Sequence, residues 1–174
     1  MGESTGNRAD LDEVDVELLS YIERNNDVNL EKLSEELGLS KSAVHYRLQK
    51  HRDEDVIQQV SADLDPLAFG FNMMMITEVS VTHEPDYATE IGDEITEVPG
   101  VQQVYYTMGD VDFVVISRTQ NREQMNDLIN AIVSIDGINE TSSRFVMAEI
   151  QTGGGILENI SEPMQTNILG GADG

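Results

Sequence analysis

The apolar positions fall into segments whose period changes along the chain. From Asp12 to Arg24, Val14, Leu18, Leu19 and Ile22 recur at helical spacing, with Asp12 placed to cap the start. A second helix is predicted from Leu30 to Leu37, with Asn29 as cap, Leu30, Leu33 and Leu37 on one side and Gly38 as its stop. A third opens after Ser40 and keeps Ala43, Val44 and Leu48 on one face to about His51. Residues 56–62 then read as a strand. Three short helices, a three-residue turn at Gly38-Leu39-Ser40 and a strand make a winged helix-turn-helix.

Asp65-Pro66 and Gly70 punctuate the chain, and beyond them the period becomes two. Met73, Met75, Val79 and Val81 alternate within a strand over 72–82. Tyr87, Ile91 and Ile95 place a helix over 86–95. Two β-rich runs, 101–108 and 112–117, flank a turn at Gly109-Asp110. Met125, Leu128, Ile129, Ile132 and Val133 form a helical stripe within 122–135, and 138–151 reads as a last strand. The order βαββαβ predicts a ferredoxin-like sheet with both helices on one face. The expected fold class is therefore α+β. Its parts are a DNA-binding-type domain over 11–62, a linker over 63–71, a sheet domain over 72–152 and a glycine-rich tail over 153–174. That tail, with glycines at 153–155 and 170–171, is expected to be mobile, with a short docking helix through Ile156, Leu157, Ile160 and Met164 as the alternative.

Composition narrows the chemistry. There is no cysteine, which removes disulfides, thiolate metal sites and cysteine nucleophiles. The opening MGESTGNRADLDE has no apolar stretch of the kind a signal peptide needs, and the longest apolar run, Met73 to Ile76, is far short of the roughly 20 residues of a membrane span. A soluble cytoplasmic protein is expected. The 174 residues carry 33 carboxylates against 10 Lys plus Arg, a formal net charge of −23, with only three lysines. Such acidity resembles that of proteins from salt-loving archaea, where molar salt shrinks the Debye length to about 3 Å and screens the self-repulsion. The excess is therefore read as an adaptation to solvent and not as a clue to partners.

Against that background one stretch stands apart. Residues 12–60 hold 12 carboxylates and 6 basic side chains, yet Gly38 to Arg52 holds Lys41, Arg47, Lys50 and Arg52, with His45 and His51, and no carboxylate. With Val44 and Leu48 turned to the core, Lys41, Ser42, His45, Tyr46 and Gln49 should project outward, the side-chain set with which a recognition helix reads base edges in the major groove. Arg47, Lys50 and Arg52 are better placed for phosphates, which position a protein without reading sequence. Double-stranded DNA is the expected partner.

The order and spacing of several motifs resemble the Lrp/AsnC (feast/famine) family of transcription regulators over about residues 11–152. They are Leu11-Asp12-Glu13-Val14-Asp15, Leu37-Gly38-Leu39-Ser40, Val56-Ile57, Leu64-Asp65-Pro66 with Phe69-Gly70-Phe71, Val98-Pro99-Gly100-Val101 and Gly109-Asp110-Val111-Asp112-Phe113. The resemblance implies homodimers or larger assemblies (often octamers), operator binding by the first domain and sensing of a small effector, usually an amino acid, by the second. It also implies effector contacts from Gly100, Met108, Gly109, Asp110 and Asp112, together with Thr141 and Ser143 of a neighbouring subunit. There Asp112 would meet a cationic group. Thr141 and Ser143 stand where the family usually has two threonines, and the recognition helix holds an unusual His45-Tyr46 pair.

Other chemistries find little support. His45, His51 and His83 lack metal-ligand spacing, no carboxylate pair stands out as acid and base, and Gly153-Gly154-Gly155 is not followed by the Lys-Ser/Thr of a phosphate loop. No catalytic residue, metal or cofactor is expected. The rival readings are an effector-independent or architectural DNA binder and, from another class, a sirohaem decarboxylase-like enzyme, for which the second domain offers only His83, Arg118, Arg122 and Arg144.

Overall fold

The computed structural model describes residues 9–25, 28–82, 87–151 and 155–170. His83, Gly153, Gly154 and the ends of the chain, and with them the readings placed there, lie outside the described residues. Two compact units result, one of Met1–Asp63 with Gln151–Gly174 and one of Leu64–Ile150.

In the first unit α1 spans Glu13–Arg24, α2 Leu30–Glu36 and α3 Lys41–Asp53. Each start is capped as the sequence suggests. Asp12 accepts from the Asp15 amide while Asp15 accepts from the Asp12 amide, a reciprocal pair of bonds that satisfies two otherwise orphaned donors. Asn29 accepts from the amides of Glu31 and Lys32, and Ser40 from that of Ala43. Leu18, Leu33, Val44 and Leu48 form the core, one or two from each helix. Gly38, at φ +62°, takes the left-handed conformation that turns α2 into α3 in so few residues.

The segment 56–62, expected as a strand, is not one. Strand geometry needs a neighbouring backbone to accept and donate, and none of the described strands pairs with this segment. Its start is tied by the Ile57 amide donating to the His51 carbonyl at 3.0 Å and by the Ile57 side chain packing against the core of the first unit.

In the second unit β1 (Met73–Val81), β2 (Val101–Tyr106), β3 (Phe113–Thr119) and β4 (Ile138–Phe145) form one antiparallel sheet in the order β2-β3-β1-β4. Helices α4 (Tyr87–Thr96) and α5 (Arg122–Val133) follow β1 and β3. Register puts Met75, Val79 and Val81 of β1 on the same face as Phe113 and Val115 of β3, where they pack with Ile91, Ile95, Met125, Leu128 and Ile132 from the helices. Met74, Ile76, Glu78 and Ser80, with Val114, Ile116 and Arg118, occupy the other face, and no helix among the described residues covers them. Strand β4 ends earlier than the expected residue 151. Its partner β1 begins at Met73, and after the Val146 amide donates to the Met74 carbonyl no β1 backbone remains to pair.

In the tail the structure bears on the alternative reading, a short docking helix. An eight-residue helix, α6 (Glu162–Leu169), lies further along than the apolar spacing suggested, and the segment belongs to the first unit.

Candidate nucleic-acid interface and effector loop

Helix α3 buries Val44 and Leu48 and leaves Lys41, Ser42, His45, Tyr46, Gln49 and Arg52 exposed. Tyr46 is 71 % exposed, a large aromatic ring held in water by a helix anchored on its opposite face. Several of these groups have weak partners. The Lys41 Nζ donates to Glu31 at 2.6 Å, Gln49 donates to Asp53 at 2.8 Å, and Lys50 stands 4.0 Å from Glu54. Exposed pairs of this kind contribute about 0–1 kcal/mol each and exchange readily for another anion. Lys41 holds the Glu31 carboxyl below the usual carboxylate value through its hydrogen bond and charge. Arg52 makes no ion pair among the described residues.

Arg47 corrects the sequence reading. Its guanidinium folds back onto α1 and donates to Asp15 at 2.5 Å and Asp12 at 2.8 Å, so it braces the domain and is not presented to a phosphate. Hydrogen bonds to Asp15 and Asp12 raise it above its ordinary value. His51, counted with the basic island, is fully buried, and its Nε2 lies 2.9 Å from the same Asp15 oxygen. Because an ionised carboxylate can only accept, Nε2 carries the hydrogen, which leaves Nδ1 buried without a partner. Burial works to raise the Asp15 carboxyl, but the hydrogen bonds from His51, Arg47 and the Asp12 backbone outweigh it, and the net shift is downward.

The second candidate lies in the turn between β2 and β3. Gly109 adopts φ +151° over open space, and Met108 is 91 % exposed. The Thr107 amide donates to the Asp112 carbonyl at 2.8 Å and closes the turn. Asp112, read as a possible partner of a cationic ligand, instead turns inward: it is 6 % exposed and accepts from the Val81 amide at 2.8 Å. Its own amide donates to the Val79 carbonyl, so the residue fastens the turn to β1. Thr141 lies opposite Val79, and Ser143 lies opposite Thr77 with their hydroxyls 2.9 Å apart. The Ser80 hydroxyl reaches the Asp110 carbonyl at 3.4 Å. The turn and Thr141 lie toward one end of the sheet, and Ser143 stands opposite the middle of β1.

Gly100 is at the other end. At φ +95° its carbonyl accepts from the Arg118 amide at 2.8 Å, and it lines a mostly apolar hollow of about 580 Å³ with Phe71, Val98, Leu128 and the polar Gln124 and Asp127. Periodicity could not reveal this hollow, because its walls come from segments up to 60 positions apart. Among the described residues no three His, Cys, Asp or Glu side chains converge as a metal site. Of the arginines considered for a tetrapyrrole, Arg118 pairs with Glu149 at 2.5 Å and Arg144 with Glu78 at 2.5 Å. No described helix is long and apolar enough to cross a membrane.

Residues 11–58 match a family model described as winged helix-turn-helix DNA-binding, and residues 74–156 match the Lrp/AsnC ligand binding domain. The HTH-type transcriptional regulator FL11 of Pyrococcus horikoshii is 32 % identical over 140 residues, which cover 80 % of this chain and 91 % of that protein. Among solved structures, a Neisseria meningitidis transcriptional regulator in complex with L-methionine superposes with a TM-score of 0.79 at 22 % identity, covering 84 % of this chain and 96 % of that one. A feast or famine regulatory protein from M. tuberculosis complexed with L-methionine gives a TM-score of 0.74 at 22 % identity, covering 82 % and 95 %.

Proposed function

The chain belongs to the Lrp/AsnC family of transcription regulators, and from that premise we propose how it reads DNA and what it answers to. It is a DNA-binding regulator with a ligand-binding domain, and the relatives it matches are named as regulators, not enzymes. Lys41, Ser42, His45, Tyr46 and Gln49 enter the major groove and meet base edges, while Lys50 and Arg52 hold phosphates on either side. Arg47 and His51 serve this from behind by locking α3 to α1. The observation that carries the reading is the exposed face of α3 from Lys41 to Arg52, which holds no carboxylate in a chain of net charge −23.

The second unit senses a small metabolite, an amino acid by analogy with the methionine-bound relatives. The turn at 108–112 and the Gly100 turn supply backbone groups to the ligand, and Thr141 and Ser143 of a neighbouring subunit supply hydroxyls. The open face around Met74, Ile76, Val114 and Ile116, bordered by the Glu78–Arg144 pair, supports face-to-face pairing of two sheets in a homodimer and growth to larger assemblies. The acid excess and scarcity of lysine support a haloarchaeal cytoplasm as the working environment. In molar salt the counterion-release contribution to DNA affinity is largely lost, so binding leans on base contacts and on multivalency.

The test is fluorescence anisotropy in molar potassium chloride, using duplexes selected by the protein from a random pool. Lys41/Tyr46/Gln49→Ala together should abolish sequence preference, and unchanged binding by that variant would refute the recognition-helix assignment. Each amino acid is then added at millimolar concentration. No shift with any of them favours the effector-independent reading, to which the inward turn of Asp112 lends support.

A further inference from the structure

The exposed Glu23 carboxylate sits in the last turn of α1, where the helix dipole disfavours a negative charge. Two backbone amides of the tail answer it. Leu157 donates to one Glu23 oxygen at 2.9 Å, and Ile156 donates to the other. A β-carbon built on Gly155 would overlap the same carboxylate, so a side chain there would push Glu23 out of its present position. Ile156 and Leu157 line a hollow of about 510 Å³ with Leu19, Ile22 and Val60. From this anchor the chain continues into α6, which ends with half-buried Ile168 and Leu169. Leu169 lines a second hollow, of about 660 Å³, between Asp10, Asp12 and Asp15 at the start of α1 and Tyr46, Arg47 and Lys50 of α3. The tail thus runs from the end of α1 to the edge of the recognition helix. It carries Glu158 and Glu162 and no basic residue between 155 and 170.

We propose that residues 155–170 form an intramolecular strap that occupies the flank of the recognition helix and competes there with DNA phosphates. The strap rests on the DNA-reading role assigned above to α3. An isolated eight-residue helix is marginal in water, and α6 has no fully buried residue, so the strap is held by few contacts and is readily displaced. Strap closed, Leu169 stands beside Lys50 at the edge of the helix; strap released, that edge is open to a DNA backbone.

The experiment compares the full chain with its Glu23→Ala and Gly155→Val variants, by amide exchange without DNA and by anisotropy with duplexes selected by the full chain. Ile156 and Leu157 amides should be protected in the parent and exchange like an unstructured peptide in both variants, which should bind DNA about threefold or more tightly. Unprotected amides in the parent overturn the strap. Lost protection with affinity unchanged within about twofold overturns the competition while leaving DNA reading by α3 intact. Failure of every form to bind any selected duplex removes the DNA-reading role, and the competition with it, whatever the amides show.

Discussion

Replacing Asp15 by alanine should unfasten the recognition helix. Asp15 is 4 % exposed at its side chain and accepts from Arg47 at 2.5 Å, His51 at 2.9 Å and the Asp12 amide at 3.2 Å. Its loss leaves the fully buried His51 ring without a partner on either nitrogen. Breaking a buried charged pair by removing one member costs about 3–5 kcal/mol. Arg47 keeps Asp12 at 2.8 Å, and its side chain is 27 % exposed, so the cost falls to the lower end, about 3 kcal/mol. Hydrogen exchange of α3 amides reads this as a drop in protection of about two orders of magnitude. Asp12→Ala is the control, because Asp12 is 53 % exposed and its removal should cost about 1 kcal/mol, a typical cap loss. The pH dependence has a definite sign. The Asp15 carboxyl lies below its ordinary value of 3.8 in the folded state, so its contribution is fully present above that value and is lost as pH falls through the lower, folded one. A loss under about 1 kcal/mol for Asp15→Ala, or equal losses for the two variants, would show that the buried cluster does not hold α3.

Arg52→Ala should weaken binding to all duplexes alike and reduce the salt slope by about 1, measured by anisotropy across a potassium chloride series; a change in sequence preference would contradict its role as a phosphate contact. Gly100→Ala should destabilise the second unit by about 1–3 kcal/mol, because the residue sits at φ +95° and its new β-carbon would stand 2.9 Å from the Arg118 carbonyl oxygen and Leu128; denaturant unfolding checks this, and a neutral result refutes it. Asp112→Ala should cost about 1–3 kcal/mol by leaving the buried Val81 amide without its acceptor, visible as faster exchange of that amide; an effect confined to ligand binding would return Asp112 to the effector site.

Local patterning carried the sequence reading a long way. Caps at Asp12, Asn29 and Ser40, the left-handed turn at Gly38 and the switch in period after Gly70 depend on residues within a few positions of one another. Such interactions are written directly in the order of the chain, which is why helices α1 to α5, the succession of elements in the sheet domain and the outward-facing residues of α3 were legible. By itself the sequence also singled out the carboxylate-free stretch from Gly38 to Arg52. Tertiary structure decided which of those cations remain available. Arg47 and His51 turn inward because their partners, 32 and 36 positions away, are brought beneath α3 only when Leu18, Leu33, Val44 and Leu48 pack together. Asp112 is claimed by an amide 31 positions earlier, Glu23 by amides 133 and 134 positions later, and residues 56–62 lack the neighbouring strand that would make them one. Periodicity fixes which face a side chain takes, but its partner depends on what the folded core delivers to that face.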